Sequence, residues 1–222
     1  MKNSLKLAPL LMLILASGCS ALLPKPPINT AYYALIGTTV KAQAGKAQAN
    51  KNVDLKSALP TLIVNMPKAA AGYDTRRMIY TRTAHQLEYF ARNEWVDTPS
   101  YMLQPLMVAA IEQTQAFNAV LPKLAAVKTD LRLETEMLGL LQDFNSKPSV
   151  VRFTLRVTII DNTSGKVIAL REFINQVPAA SDNPIGGVNA ANLVVNSILK
   201  QLADFCAETA SSSKANVKSL QN

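Results

Sequence analysis

The chain has 222 residues, 49% of them hydrophobic and 17% charged, with a formal net charge of +8. That balance excludes bulk disorder, and a chain of this length can bury a core without metal or disulfide staples. The basic residues are dispersed: Lys41, Lys46 and Lys51, then Arg76 and Arg77, Arg152 and Arg156, Lys214 and Lys218. No compact basic run is interleaved with aromatics, so the footprint of a nucleic-acid module is absent. The charge fits either a solvated basic surface or attraction to anionic head groups or an acidic partner.

Residues 1–18 have three zones: Lys2 and Lys6, an apolar run over residues 7–15, and the small residues Ala16, Ser17 and Gly18 before Cys19. The apolar run is too short to span a bilayer as a helix, so it reads as an export leader. Small residues before a cysteine let the chain enter a signal peptidase, and a thiol is the atom that takes a diacylglycerol thioether. Ala16-Ser17-Gly18-Cys19 resembles the bacterial lipobox, with Ala where Leu is commoner. Cleavage is therefore expected between Gly18 and Cys19, with lipid on Cys19. Several acyl chains on one residue anchor stably where one does not. Losing Lys2 and Lys6 lowers the net charge to +6. An ordinary secretory leader that happens to contain a cysteine is the alternative. Cys206, the second of two cysteines, then has no partner in its own chain.

Pro24, Pro26 and Pro27 make residues 19–29 a semi-rigid tether. The folded domain is expected over residues 30–210. Residues 30–36, with Tyr32, Tyr33 and Leu35, read as a strand; residues 41–50, KAQAGKAQAN, read as a loop. TLIVNM at 61–66 is a second strand. Residues 77–83 and 86–91 give two more, joined by a tight turn at Ala84 and His85. Thr98-Pro99 starts a helix, Thr98 as cap and Pro99 where its missing amide costs nothing. Leu103, Leu106, Met107, Ala110 and Ile111 follow at helical spacing, and Pro105 predicts a kink or a separate first turn.

Residues 130–137 alternate sharply, with Leu131, Leu133 and Met137 on one face and Arg132, Glu134 and Glu136 on the other. Residues 151–159 repeat the pattern, 161–166 are turn chemistry, and 167–176 return. The polar faces place Glu134 or Glu136 beside Arg152 or Arg156 across an antiparallel pair. Residues 190–205 form an amphipathic helix approached by a loop with Pro184, Gly186 and Gly187, and residues 211–222 read as a disordered polar tail. The expected architecture is α/β (mixed α+β): one mixed, largely antiparallel sheet covered by two main helices.

Chemistry-bearing constellations are scarce. His85 is the single histidine, without a nucleophile motif or metal-ligand spacing around it, and reads as a hairpin residue. Asn162-Thr163-Ser164 reads as a turn, Gly186-Gly187 as loop flexibility, and Cys206 as a buried apolar-like side chain. No catalytic residue, metal or cofactor is assigned, and the chain is not expected to be an enzyme.

Residues 72–103 (GYDTRRMIYTRTAHQLEYFARNEWVDTPSYML) resemble the signature region of the ABC-type transport auxiliary lipoproteins, the PqiC-like family. The counterparts are a turn at Tyr73 and Asp74, a strand at Arg77 to Tyr80, a second strand at Leu87 to Phe90, and Trp95 ahead of Thr98-Pro99. The lipobox and the strand containing Tyr32 to Leu35 agree. The resemblance implies a non-enzymatic component of an envelope lipid-transport system, in which an ABC transporter works with mammalian-cell-entry (MCE) domain proteins. Tyr73, Asp74, Arg76, Arg77 and Trp95 are its candidate partner contacts, with packing in the core as the competing role for Tyr73 and Trp95. Ser20, where Asp marks inner-membrane retention in related lipoproteins, favours the periplasmic face of the outer membrane. A periplasmic lipid-binding module and, less favoured, an envelope hydrolase are the alternatives; a homo-oligomer stays open.

Overall fold

The computed structural model describes residues 29–37, 59–122 and 129–219, residues 213–219 by backbone alone. The leader, Gly18 and Cys19, the proline tether and the KAQAGKAQAN loop lie outside the described residues.

The sharpest alternation in the sequence becomes the longest strand. Leu131–Asp143 (β7) pairs along one edge with Val150–Asp161 (β8), which pairs in turn with Val167–Pro178 (β9), all antiparallel. The other edge of β7 carries three short parallel strands in series. Thr61–Val64 (β2) lies against Leu131 to Leu133, Lys68–Ala69 (β3) against Glu136 and Met137, and Arg77–Thr81 (β4) against Gln142 and Asp143. From β4 the sheet continues through antiparallel Glu88–Trp95 (β5) to parallel Ala31–Tyr33 (β1); from β2 it continues to parallel Ala119–Pro122 (β6). The sheet is thus mixed, and the three long strands make it largely antiparallel.

Two helices, Pro99–Glu112 (α1) and Pro184–Ser219 (α2), cover one face. Leu131, Leu133 and Met137 of β7 join Phe153, Leu155 and Val157 of β8, all at most 4% exposed, beneath Leu103 and Met107 of α1 and Val194, Ile198 and Leu202 of α2. The opposite face carries the charges. Glu136 meets Arg156 at 3.2 Å, as the register requires, and Arg156 reaches on to Glu172 at 3.1 Å. Glu134 turns instead to Arg132 on its own strand at 3.0 Å, and Arg152 to Asp143 at 2.7 Å. The three glutamate pairs are at least partly exposed, worth about 0–1 kcal/mol each, and set register more than stability, whereas the Asp143 carboxylate is buried.

Several elements depart from the sequence expectation. Pro105 leaves α1 continuous: it lies on the exposed side, where the missing amide falls toward solvent. Thr98 has the extended backbone of a cap, but its hydroxyl meets Ser100 Oγ at 3.2 Å rather than a helix amide. β5 runs four residues past the expected end because β1 pairs with Asn93 to Trp95. β3 and β6 were not expected. The backbone of α2 stays helical through Ser219, well into the segment expected to be disordered.

The largest correction concerns the start of α2, six residues before the expected one. Asn183 Oδ1 accepts the Gly186 amide at 2.9 Å, the satisfied donor a helix start requires, and Pro184 sits at the first helical position. Gly186 and Gly187 are therefore helical and buried, not a flexible approach. A Cβ on Gly186 would overlap the Ser181 carbonyl oxygen, and one on Gly187 would overlap the Gln142 side chain. At the same level of the fold, Asn192 and Asn196 clasp the segment after β1. Asn192 Oδ1 accepts the Ile36 amide at 2.6 Å, and Asn196 Nδ2 donates to the Ile36 carbonyl at 2.9 Å.

Alanine is favoured over glycine in a helix by about 1 kcal/mol, yet Gly186→Ala is expected to destabilise the domain by about 2 kcal/mol through overpacking. Gly187→Ala should cost less, because it meets a side chain that can move rather than backbone. Urea denaturation of the two variants measures the difference.

Candidate contact surface

The corner between β3 and β4 is built by backbone bonds and one glycine. The Tyr73 amide donates to Ala70 O at 3.0 Å, Gly72 adopts φ +87°, and the Arg77 amide donates to Thr75 Oγ1 at 3.1 Å. Arg76 is held from both sides: its carbonyl accepts the Trp95 amide at 2.8 Å, and its Nε donates to Trp95 O at 3.3 Å. The chain is thereby locked at the point where β4 begins.

Tyr73 folds back over β7. Its ring lies on Gly139, where a Cβ would come within 3.3 Å of Cζ, and the register shift between Met137 and Gly139 brings that glycine beneath it. Partial burial, then the neighbouring Tyr89, raises the Tyr73 phenol above the ordinary tyrosine range. Tyr73 is thus half-buried and packed against the core, while Asp74, Arg76 and Arg77 are exposed. Trp95 is 4% exposed and belongs to the core. That corrects its candidacy as a contact: a side chain this buried presents no surface to a partner.

Two aromatic residues outside the candidate contacts complete the corner. The Arg76 guanidinium stands over the Tyr32 ring, 5.5 Å from its centroid, and Arg77 over the Tyr89 ring at 4.4 Å. Tyr32 is 56% and Tyr89 37% exposed. Each cation–π pair at such a site is worth about 0.5–1 kcal/mol, so the rings fix the guanidinium groups and leave their outward donors free for an acceptor. Only the Tyr32-Tyr33 pair beside a strand signal hinted at this, and the pairing of β1 with β5 was not readable locally.

Elsewhere the described residues carry little chemistry. His85 sits exposed in the β4–β5 turn at φ +68°. Cys206 is fully buried, and that burial pushes its thiol up to about 12, leaving it inert at neutral pH. Among the described residues no group of His, Cys, Asp and Glu is arranged to hold a metal, and no helix is long and apolar enough to cross a membrane.

A family model described as the ABC-type transport auxiliary lipoprotein component matches residues 41–203. The chain belongs to that family. No curated protein matches the sequence. Protein XCC0632 from Xanthomonas campestris, titled with the family DUF330, is similar in structure, with a TM-score of 0.70 and 18% identity over 84% of this chain and 99% of its own. A second, uncharacterized protein aligns with a TM-score of 0.57 and 13% identity over 81% of this chain and 97% of its own. At these identities the likeness is one of fold.

The split between core and surface predicts a split in energetics. Trp95→Ala should cost about 3–5 kcal/mol of stability, as buried aromatic truncations do, while Arg76→Ala and Arg77→Ala should cost about 1 kcal/mol or less each. Chemical denaturation of the three variants checks this.

Proposed function

We propose that the protein is a non-enzymatic, lipid-anchored adaptor that docks the periplasmic MCE-domain assembly of an ABC transport system at the outer membrane, serving phospholipid traffic. Membership of the auxiliary lipoprotein family is the observation that carries this reading. The leader ending in Gly18-Cys19 supplies the anchor, and Ser20 after it favours the outer membrane.

The contact surface in this reading is the corner of Asp74, Arg76 and Arg77, supported from beneath by Tyr73. Two guanidinium groups held over tyrosine rings present fixed donors, a geometry suited to carboxylates of an acidic partner. Electrostatic pairing of this kind favours a fast, specific encounter rather than an irreversible one.

A protein that itself carries lipid needs an apolar cavity between sheet and helices. Among the described residues, the pocket lined by Met78, Phe90, Trp95, Leu140, Val151 and Ala191 among others holds about 20 Å³, room for about one water and not for an acyl chain. The adaptor reading is therefore preferred. A hydrolase would need His85 beside a nucleophile, and its place on an exposed turn gives no support to that.

The test is a pull-down of the tagged full-length protein from mildly crosslinked, detergent-solubilised envelopes, with mass spectrometry of proteins and lipids. An MCE-domain protein should be retained by the wild type and reduced about tenfold or more by Arg76→Glu/Arg77→Glu, in line with like-charge penalties of several kcal/mol at interfaces. Retention of no such partner sinks the adaptor reading. Stoichiometric phospholipid in the eluate without a partner protein favours the lipid carrier.

A further inference from the structure

Among the described strands β9 pairs with β8 alone, so its other side is an edge of the sheet. The Ala179 amide donates at 2.7 Å to Ser149 O, directly across in the β8–β9 register. Odd-numbered residues of β9 therefore turn their backbone groups toward β8, and even-numbered ones turn them outward. Both ends of this edge are blunted. Pro178 has no amide, the outward Gln176 amide is taken by Asn175 Oδ1 at 2.8 Å, and the register shift opposite Ile159 and Ile160 makes a bulge at Ile168. Between them, the N–H and C=O groups of Leu170, Glu172 and Ile174 face out of the sheet.

Phe173 and Asn175 reach Phe205 and Ser197 of α2, so the side chains of Leu170, Glu172 and Ile174 lie on the face away from the helices. There Glu136 of β7, Arg156 of β8 and Glu172 of β9 stand in one cross-strand row, at 3.2 and 3.1 Å, and one guanidinium serves two carboxylates. Arg152, the next cation on that face of β8, is held by Asp143 at 2.7 Å. The row alternates in sign and stops on a carboxylate at the edge. On either side of Glu172, Leu170 is 63% and Ile174 71% exposed, opposite Thr158 and Thr154. Outward backbone groups beside exposed apolar side chains make a template for one more strand.

We propose that β9 from Leu170 to Ile174 is the docking edge for an extended segment of a different protein, one with a Lys or Arg between two aliphatic residues at alternate positions. The cation continues the alternating row opposite Glu172, and the aliphatic residues cover Leu170 and Ile174. A second copy of this chain does not supply that pattern. Antiparallel pairing of two β9 edges about a two-fold axis at Glu172 or Arg171 sets like charges face to face. An axis at Leu170, Phe173 or Ile174 sets Glu172 against Ile168, Ile174 or Gln176. The outer strands Ala31–Tyr33 and Ala119–Pro122 contain no Lys or Arg, and Lys68–Ala69 is too short to flank its cation with two strand residues. β9 lies three strand positions from β4, so this edge is separate from the Arg76–Arg77 corner and depends on neither the anchor nor the adaptor reading.

The probe is the synthetic peptide Thr-Val-Thr-Lys-Thr-Val-Thr, whose pattern reads the same in both directions, titrated into the isotope-labelled mature chain and followed by NMR. Amides of residues 169–175 should shift, and hydrogen exchange at Leu170, Glu172 and Ile174 should slow about tenfold near saturation. The same peptide with Glu in place of Lys should bind about fivefold more weakly. Glu172→Lys, at an exposed position, should reverse that preference while signals away from β9 stay unchanged. Should that variant perturb the fold, Glu172→Gln should bring the two peptides to similar affinity. No shift at millimolar peptide, shifts centred on residues 76–77 or elsewhere outside β9, or equal affinity of the wild type for both peptides overturns the proposal. So does slowed exchange at Leu170, Glu172 and Ile174 without peptide that is lost on dilution, which makes a second copy the occupant.

Discussion

The hydrogen-bonded seam along β7 is the constraint on which the rest of the structure depends. One edge of this strand is occupied by β8 over nearly its full length, and the other is shared in series by β2, β3 and β4. A slip of one residue would exchange Leu131, Leu133 and Met137 for Arg132, Glu134 and Glu136 beneath the helices, so the hydrophobic pattern fixes the register. Every parallel strand that joins β7 is then placed by a few residues of pairing. The register shift at Met137/Gly139 in turn sets the glycine on which Tyr73 rests.

From that seam the sheet acquires two structurally distinct ends. β4 and β5 run antiparallel, so one end holds their turn and the other holds the corner at Arg76 and Arg77. β1 joins β5 in parallel, which fixes where the N-terminal chain enters, and the Asn192–Asn196 clasp ties the segment that follows to α2. An edge strand of three residues is weak alone. Held by sheet on one side and helix on the other, it gives the N-terminal chain a firm point of attachment to the domain.

The β7–β8–β9 meander and the apolar stripe of α2 were legible because each carries its own periodicity, independent of neighbours. β3 and β6 were not: two and four residues give no period, and they are strands only because β7 and β2 offer open edges. The first turns of α2 were hidden for a different reason. Pro184, Gly186 and Gly187 have the composition of a loop, and only the three-dimensional proximity of Ser181 and Gln142 shows that the glycines are there for close approach. The candidate corner was half legible. Asp74, Arg76 and Arg77, candidates through a family-like motif, are exposed, whereas Trp95, for which core packing was the competing role, is in the core. Tyr32 and Tyr89, which hold the two guanidinium groups, come from strands distant in sequence, and no local signal links them to Arg76 and Arg77.

The proposed adaptor role requires that the chain be fixed at its N-terminus. The most direct measurement is metabolic labelling of cells with an alkyne fatty acid, followed by purification and mass spectrometry of the N-terminal peptide. The expected result is acylated Cys19 at a new N-terminus in the wild type and no label on Cys19→Ser. A wild-type protein without label, or label that persists on Cys19→Ser, contradicts the anchor and the adaptor role built on it.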